Sequence, residues 1–178
     1  QDLNIMHAGT DQRKAQIIAR EVAMKLKIKP LKFKNEILKP IALHHPLISG
    51  LQKPPVWPIP KEDLQQVLSE MKMSKSVPNS SIFIEDSPEE IKAKINKAFC
   101  LEKEIDYNPI LNWCKHLVFT KEKAELKIER PEKFGGNISF NSFDELEKTF
   151  ASGKLHPMDL KNGLSDFLID FLEPARKH

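Results

Sequence analysis

Pro54, Pro55, Pro58 and Pro60 crowd around Trp57, and no regular element can run through them. Proline fixes φ and has no N–H to donate, so 52–60 reads as a stiff extended connection, not a helix or central strand. Upstream of it, residues 11–27 have helical spacing. Ala15, Ile18, Val22 and Leu26 share one face, with Arg13, Lys14, Arg20 and Lys27 largely off it. Residues 39–45 read as a short buried strand, and Pro46 to Gly50 turns away from it. Downstream, a short helix is predicted over 61–70, with Leu64, Val67 and Leu68 inward.

Beyond residue 86 the signals are helical. Ser87-Pro88-Glu89-Glu90 combines an N-cap, a first-turn proline and a capping box. Ile91, Ile95, Ala98 and Phe99 form the stripe that follows. Asn108-Pro109 opens a second helix with Ile110, Trp113, Cys114, Leu117 and Val118 at core spacing. Residues 124–130 and 137–140 alternate as a hairpin around Gly135-Gly136. Ser142 and Glu145 form another capping box, ahead of Phe143, Leu146 and Phe150. Pro157 opens the last helix, with Leu160, Leu164, Phe167, Leu168, Phe171 and Leu172 expected inside. The expected class is α/β followed by mostly α.

The 178 residues leave room for one domain or parts of two. No apolar run approaches the ~18–20 residues of a membrane span, and no leader pattern opens the chain. Cys100 and Cys114 lack metal-ligand spacing, which argues against a disulfide framework or zinc and for a reducing cytoplasm. The net charge of +3 is compatible with nucleic-acid binding without arguing for it. Lys25, Lys27, Lys29, Lys32, Lys34 and Lys39 crowd one segment, read first as a solvated edge and second as a phosphate-tracking patch.

Lys72-Met73-Ser74-Lys75-Ser76 is followed at once by Val-Pro-Asn-Ser-Ser-Ile-Phe-Ile-Glu-Asp, and Asp11-Gln12-Arg13-Lys14 lies upstream. The pentapeptide alone is weak. Together these stretches resemble the tyrosyl-tRNA synthetases of the archaeal and eukaryotic type, which are class I enzymes with a mobile KMSKS loop for ATP. The resemblance implies a tyrosine–tRNA ligase that uses ATP, with Mg2+ accompanying it. Lys72 and Lys75 would stabilise charge on the departing pyrophosphate as it develops. Ser74 and Ser76 would donate to phosphate oxygens, and Met73 would pack against adenine. Gln12 matches the family glutamine that binds the amino group of tyrosine. His44, in His44-His45-Pro46, would line the adenosine pocket. A metal there is not expected, because no Cys, Asp or Glu lies at ligand spacing. His7-Ala8-Gly9-Thr10 looks like the HIGH signature but lies too near the KMSKS loop, and fits instead a small-residue turn before the Gln-Arg helix.

The segments Ile128-Glu129-Arg130-Pro131-Glu132-Lys133-Phe134-Gly135-Gly136 and Leu155-His156-Pro157-Met158-Asp159-Leu160-Lys161-Asn162 resemble the anticodon-binding region of the same family. There an aromatic at the place of Phe134 stacks on the first anticodon base. A carboxylate at the place of Asp159 accepts hydrogen bonds from that base, a guanine. The resemblance departs at 52–70, where the proline-rich insert is longer than in compact members. It implies residues 1–86 as the last part of a Rossmann-like catalytic domain and 87–178 as a helical anticodon-binding domain. The HIGH motif, most of the tyrosine pocket and the dimer-forming insertion are expected upstream of Gln1. The expected partners are tRNA(Tyr) and L-tyrosine, with a homodimer for the complete enzyme and no membrane. The alternative is a non-catalytic anticodon-binding fragment. A tryptophan-specific relative fits less well, since its motifs differ at the Gln-Arg helix and the anticodon segment.

Overall fold

The computed structural model describes residues 4–177, excluding the side chains of Gln65 and Leu68. The inward side chain expected of Leu68 therefore lies outside the described residues. Leu47 and Ile48 mark the division between two compact units.

The first unit holds β1 (Ile5–Gly9), a 3-10 turn (Thr10–Gln12), α1 (Arg13–Ala23), β2 (Lys32–Phe33), β3 (Glu36–Ile37) and β4 (Ile41–His45). Strands β1 and β4 pair in parallel, Ile5 opposite Ile41 and Gly9 opposite His45. Parallel neighbours need a long crossover, which α1 and the β2–β3 hairpin supply. Lys34 and Asn35 close that hairpin with φ of 47° and 68°. This is the left-handed pair that suits the twist of two short strands. The reading of His7–Thr10 as a turn is corrected: His7, Ala8 and Gly9 belong to β1, and the chain turns from Thr10.

Burial in this unit differs from expectation. On α1 the buried residues are Gln16 and Ala23, while Ile18 is 62% exposed and Val22 and Leu26 are also open. Strand β4 is not buried either, with Ile41 57% and Leu43 50% exposed. The register explains this. Side chains alternate along a strand, so Ile5, His7, Ile41 and Leu43 share one sheet face. Parallel sheets are ordinarily covered on both faces, and the apolar residues written for such cover stay open here.

The second unit holds α2 (Leu64–Glu70), α3 (Pro88–Lys97), α4 (Pro109–Trp113), β5 (Leu126–Ile128), β6 (Ile138–Phe140), α5 (Phe143–Ala151) and α6 (Pro157–Arg176). The start of α3 forms as its sequence dictates. Glu90 N–H donates to Ser87 Oγ at 3.2 Å, and Ser87 N–H donates to the Glu90 carboxylate at 2.8 Å. The second box closes differently: Ser142 caps Glu145 N–H, but the Glu145 carboxylate takes the Asn141 N–H. Helix α4 widens into a π-helical segment over Cys114–Val118, ended by Phe119 N–H bonding Cys114 O at 3.0 Å.

The core is formed by Ile91, Ile95, Trp113, Leu146, Phe150 and Leu164 with their neighbours. Helix α6 lies against α3 and β5. Phe171, expected inside, is 49% exposed, where it stacks on Phe167 with ring centroids 5.5 Å apart. Lys161 and Ser165 are buried in its stead, and Lys161 Nζ donates to Asn96 O at 3.0 Å near the end of α3. Burial lowers the pKa of that ammonium below the usual lysine value.

Gly163 sets the approach of α6 to β5. A Cβ there would fall 2.7 Å from Ile128 Cγ1 and 3.2 Å from Lys127 O. Alanine is the better helix former by ~1 kcal/mol, yet Ile128 is buried in the core and would have to shift to admit the Cβ. Gly163→Ala is expected to destabilise the second unit by about 1–3 kcal/mol in urea unfolding, the usual scale of overpacking. A stabilised variant would show that α6 can shift freely.

Candidate functional site

The Lys72–Ser76 loop follows α2 and is held by backbone and serine contacts. Gly50 N–H donates to Met71 O at 2.6 Å, and Met73 N–H to Ile48 O at 3.0 Å. Ser49 and Lys72 thereby face each other as an antiparallel bridge. The other edge of Ser49 is bonded to α4. Its N–H donates to Asn112 Oδ1 at 3.0 Å, and its carbonyl accepts the Trp113 indole N–H at 2.7 Å. Residues 48–51 thus lie between α4 on one edge and the start of the loop on the other.

Past Lys72 the loop bends around Ser74. The Ser74 carbonyl accepts from Val77 N–H at 3.1 Å and from Ser81 Oγ at 3.0 Å. Ser80 Oγ donates to Val77 O at 2.7 Å and accepts from Ser74 N–H at 3.4 Å. Ser80 and Ser81 are buried, whereas Lys72, Met73, Lys75 and Ser76 are exposed. The backbone is pinned while the two lysines stand at the surface. Such a loop can present ammonium groups and hydroxyls to an anionic ligand.

Gln12 and His44 belong to the first unit, where pairing brings them to one end. Gln12 follows directly from β1, and His44 sits opposite Ala8 near the end of β4. Both lie at the carboxyl edge of the parallel pair, the edge where open α/β sheets bind ligands. Gln12 Nε2 donates to Asp11 Oδ2 at 3.3 Å, and the His7 and His45 rings meet edge-on at 5.0 Å. At this bend a Cβ on Gly9 would sit 2.7 Å from both Asp11 Oδ1 and Leu47 Cδ2, so those two side-chain ends would have to move for a larger residue.

Phe134 and Asp159 lie in the second unit. Phe134 ends a 3-10 turn (Glu132–Phe134) between β5 and β6, 60% exposed, with Lys133 Nζ 4.9 Å from its ring centre. Gly135 and Gly136 follow with φ of 96° and 69°, a left-handed pair that bends the chain back. Asp159 is in the first turn of α6, whose N-cap is His156, with Nδ1 accepting from Met158 N–H at 3.1 Å.

Among the described residues, no group of three or more His, Cys, Asp or Glu is placed to hold a metal ion. Lys72–Ser76 carries two ammonium groups and no carboxylate, a set that suits phosphate oxygens better than Mg2+. Burial raises the pKa of both cysteine thiols, which makes neither a nucleophile at neutral pH. No described helix is long and apolar enough to cross a membrane. The residues that sequence reasoning missed are the supports: Ser49, Asn112, Ser80, Ser81 and Arg130. The last two serines lie inside the motif's own flank, whereas Ser49 and Asn112 are 63 positions apart and leave no local signal.

The family model for class I tRNA synthetases (W and Y) matches residues 2–173. The tyrosine–tRNA ligase of Thermococcus kodakarensis is 55% identical across the whole chain, and that of Pyrococcus abyssi 54%. The chain spans about half the length of these curated relatives, 48% of each. The crystal structure of tyrosyl-tRNA synthetase complexed with L-tyrosine from Pyrococcus horikoshii matches with a TM-score of 0.94 at 51% identity, covering 99% of this chain and 48% of that one. Its counterpart from Archaeoglobus fulgidus gives 0.74 at 34% identity, over 98% of this chain and 46% of that one. The chain, with its mixed helices and strands, therefore belongs to the class I aminoacyl-tRNA synthetase family of the tryptophan and tyrosine enzymes.

Proposed function

We propose that this chain is the C-terminal portion of a tyrosine–tRNA ligase, contributing the KMSKS loop of a Rossmann-like catalytic domain and a helical anticodon-binding domain. The observation that carries the reading is the loop: a backbone pinned through Ser49, Ser80 and Ser81 that leaves Lys72 and Lys75 at the surface. In the activation step the tyrosine carboxylate attacks the α-phosphorus of ATP. The bond to the bridging oxygen breaks and pyrophosphate leaves with its electron pair. Lys72 and Lys75 close on the charge that builds there, with Ser74 and Ser76 donating to phosphate oxygens and Met73 against adenine. Gln12 holds the tyrosine amino group, and His44 lines the adenosine side. A ribose hydroxyl of the terminal adenosine of tRNA(Tyr) then attacks the tyrosyl carbonyl, the bond to the adenylate oxygen breaks, and AMP leaves. Any Mg2+ enters bound to ATP.

Recognition of the tRNA rests on Phe134 and Asp159. An exposed ring offers a stacking face to an unpaired base. A carboxylate accepts two N–H donors from the Watson–Crick edge of guanine, a pair no other standard base presents. Phe134→Ala and Asp159→Ala are each expected to weaken binding of the tRNA(Tyr) anticodon stem-loop about tenfold, on the scale of one stacked or edge-bonded base. Unaltered affinity in both variants, measured by fluorescence anisotropy, would falsify the anticodon assignment.

The chain spans about half of its relatives, and this favours a second reading in which these residues alone bind RNA without turnover. Aminoacylation by the 178-residue chain at a rate comparable to a complete ligase would exclude it.

A further inference from the structure

The two elements that carry Phe134 and Asp159 are tied together by one side chain. Arg130 Nε donates to Gly136 O at 2.9 Å, across the loop that presents Phe134. Its terminal Nη1 donates to Lys154 O at 3.4 Å, in the bend between α5 and α6. From Lys154 the chain runs through buried Leu155 to the His156 cap and then to Asp159 in the first turn of α6.

Each end of this connection is stiff. On the Phe134 side, Arg130 N–H donates to Asn137 Oδ1 at 3.0 Å, and Pro131 O accepts from both Phe134 N–H and Gly136 N–H. Gly136 itself is buried. On the Asp159 side, Gly153 N–H and Lys154 N–H bond back to Phe150 O and Thr149 O at 3.0 and 3.3 Å. The guanidinium is planar and presents its donors in fixed directions, so it sets a distance between two carbonyls as a flexible ammonium cannot.

We propose that Arg130 is a positioning residue that fixes the separation of Phe134 and Asp159, and so sets discrimination for guanine at the first anticodon base without touching that base. This rests on the anticodon reading above. Stacking on Phe134 fixes where the base plane lies, and Asp159 must then meet its edge within hydrogen-bond reach. A shift of one loop against the other removes the edge contact while leaving stacking and phosphate attraction in place.

The test is anisotropy binding of this chain to two stem-loops that differ only in guanine or adenine at the first anticodon position. For Arg130→Ala and Arg130→Lys alike, the guanine-to-adenine affinity ratio is expected to fall about tenfold, the order of one bidentate base contact. Affinity for the adenine stem-loop is expected to stay near that of the unaltered chain, which also reports that the variants are folded. If Arg130 merely contacts phosphate, both stem-loops weaken equally, Arg130→Lys restores binding, and the salt dependence falls by about one counterion. That result overturns the proposal. An unaltered chain that does not distinguish the stem-loops overturns the anticodon reading and this inference with it. A discriminating chain whose Arg130 variants discriminate equally well overturns only the role of Arg130.

Discussion

Replacing Lys75 by alanine in a full-length tyrosine–tRNA ligase that carries this segment is expected to slow tyrosyl-adenylate formation about 10²–10³-fold, the scale for one lost transition-state donor. The side chain is exposed, whereas the backbone around it is held by Ser74, Ser80 and Ser81. The substitution thus removes charge and leaves the loop in place. On the proposed role, in which the ammonium group acts on charge that develops as pyrophosphate leaves, kcat should fall while the KM for ATP changes little. Single-turnover release of pyrophosphate checks this. An unchanged rate would remove the loop from the transition state and with it the catalytic half of the proposed function.

Trp113→Ala is expected to destabilise the second unit by about 3–5 kcal/mol, as for other fully buried large aromatics. Trp113 is 2% exposed in the core, and its indole N–H satisfies the Ser49 carbonyl. Trp113→Phe separates the two contributions. It retains most of the packing but leaves that carbonyl unpaired, at about 1–3 kcal/mol. Urea unfolding measures both. Ser49 pairs with Lys72 on its other edge, so faster amide exchange at Gly50 and Met73 is expected in the phenylalanine variant. Unchanged exchange there would show that α4 does not support the loop.

Local signals carried far into the helical unit. The cap at Ser87, the proline starts at Pro88, Pro109 and Pro157, and the spacing of Ile91 with Ile95 all act within one or two turns. Such contacts are written in adjacent residues and form wherever the segment is placed. The outer end of α6 was misread for the same reason. Phe171 has core spacing, but it is the neighbouring Leu172 and Ile169 that pack against the core while Phe171 stays half exposed, and spacing alone cannot say what lies opposite.

The first unit was less legible. Strands β2 and β3 are two residues each, too short to alternate. The apolar stripe of α1 and the residues of β4 stay exposed, since a parallel pair is covered only by elements that cross it. The resemblance implies a division at 86–87, whereas the compact units part between Leu47 and Ile48.

The sequence by itself picked out Lys72 to Ser76, Gln12, Phe134 and Asp159 as candidates, because the family resemblance is carried by residue types in short, local motifs. Only the tertiary structure decided what holds them. Asn112 and Trp113 reach Ser49 across 63 and 64 positions, and Arg130 reaches Lys154 across 24. Hydrogen bonds of that span depend on where the folded chain passes, and no local pattern of residues encodes it.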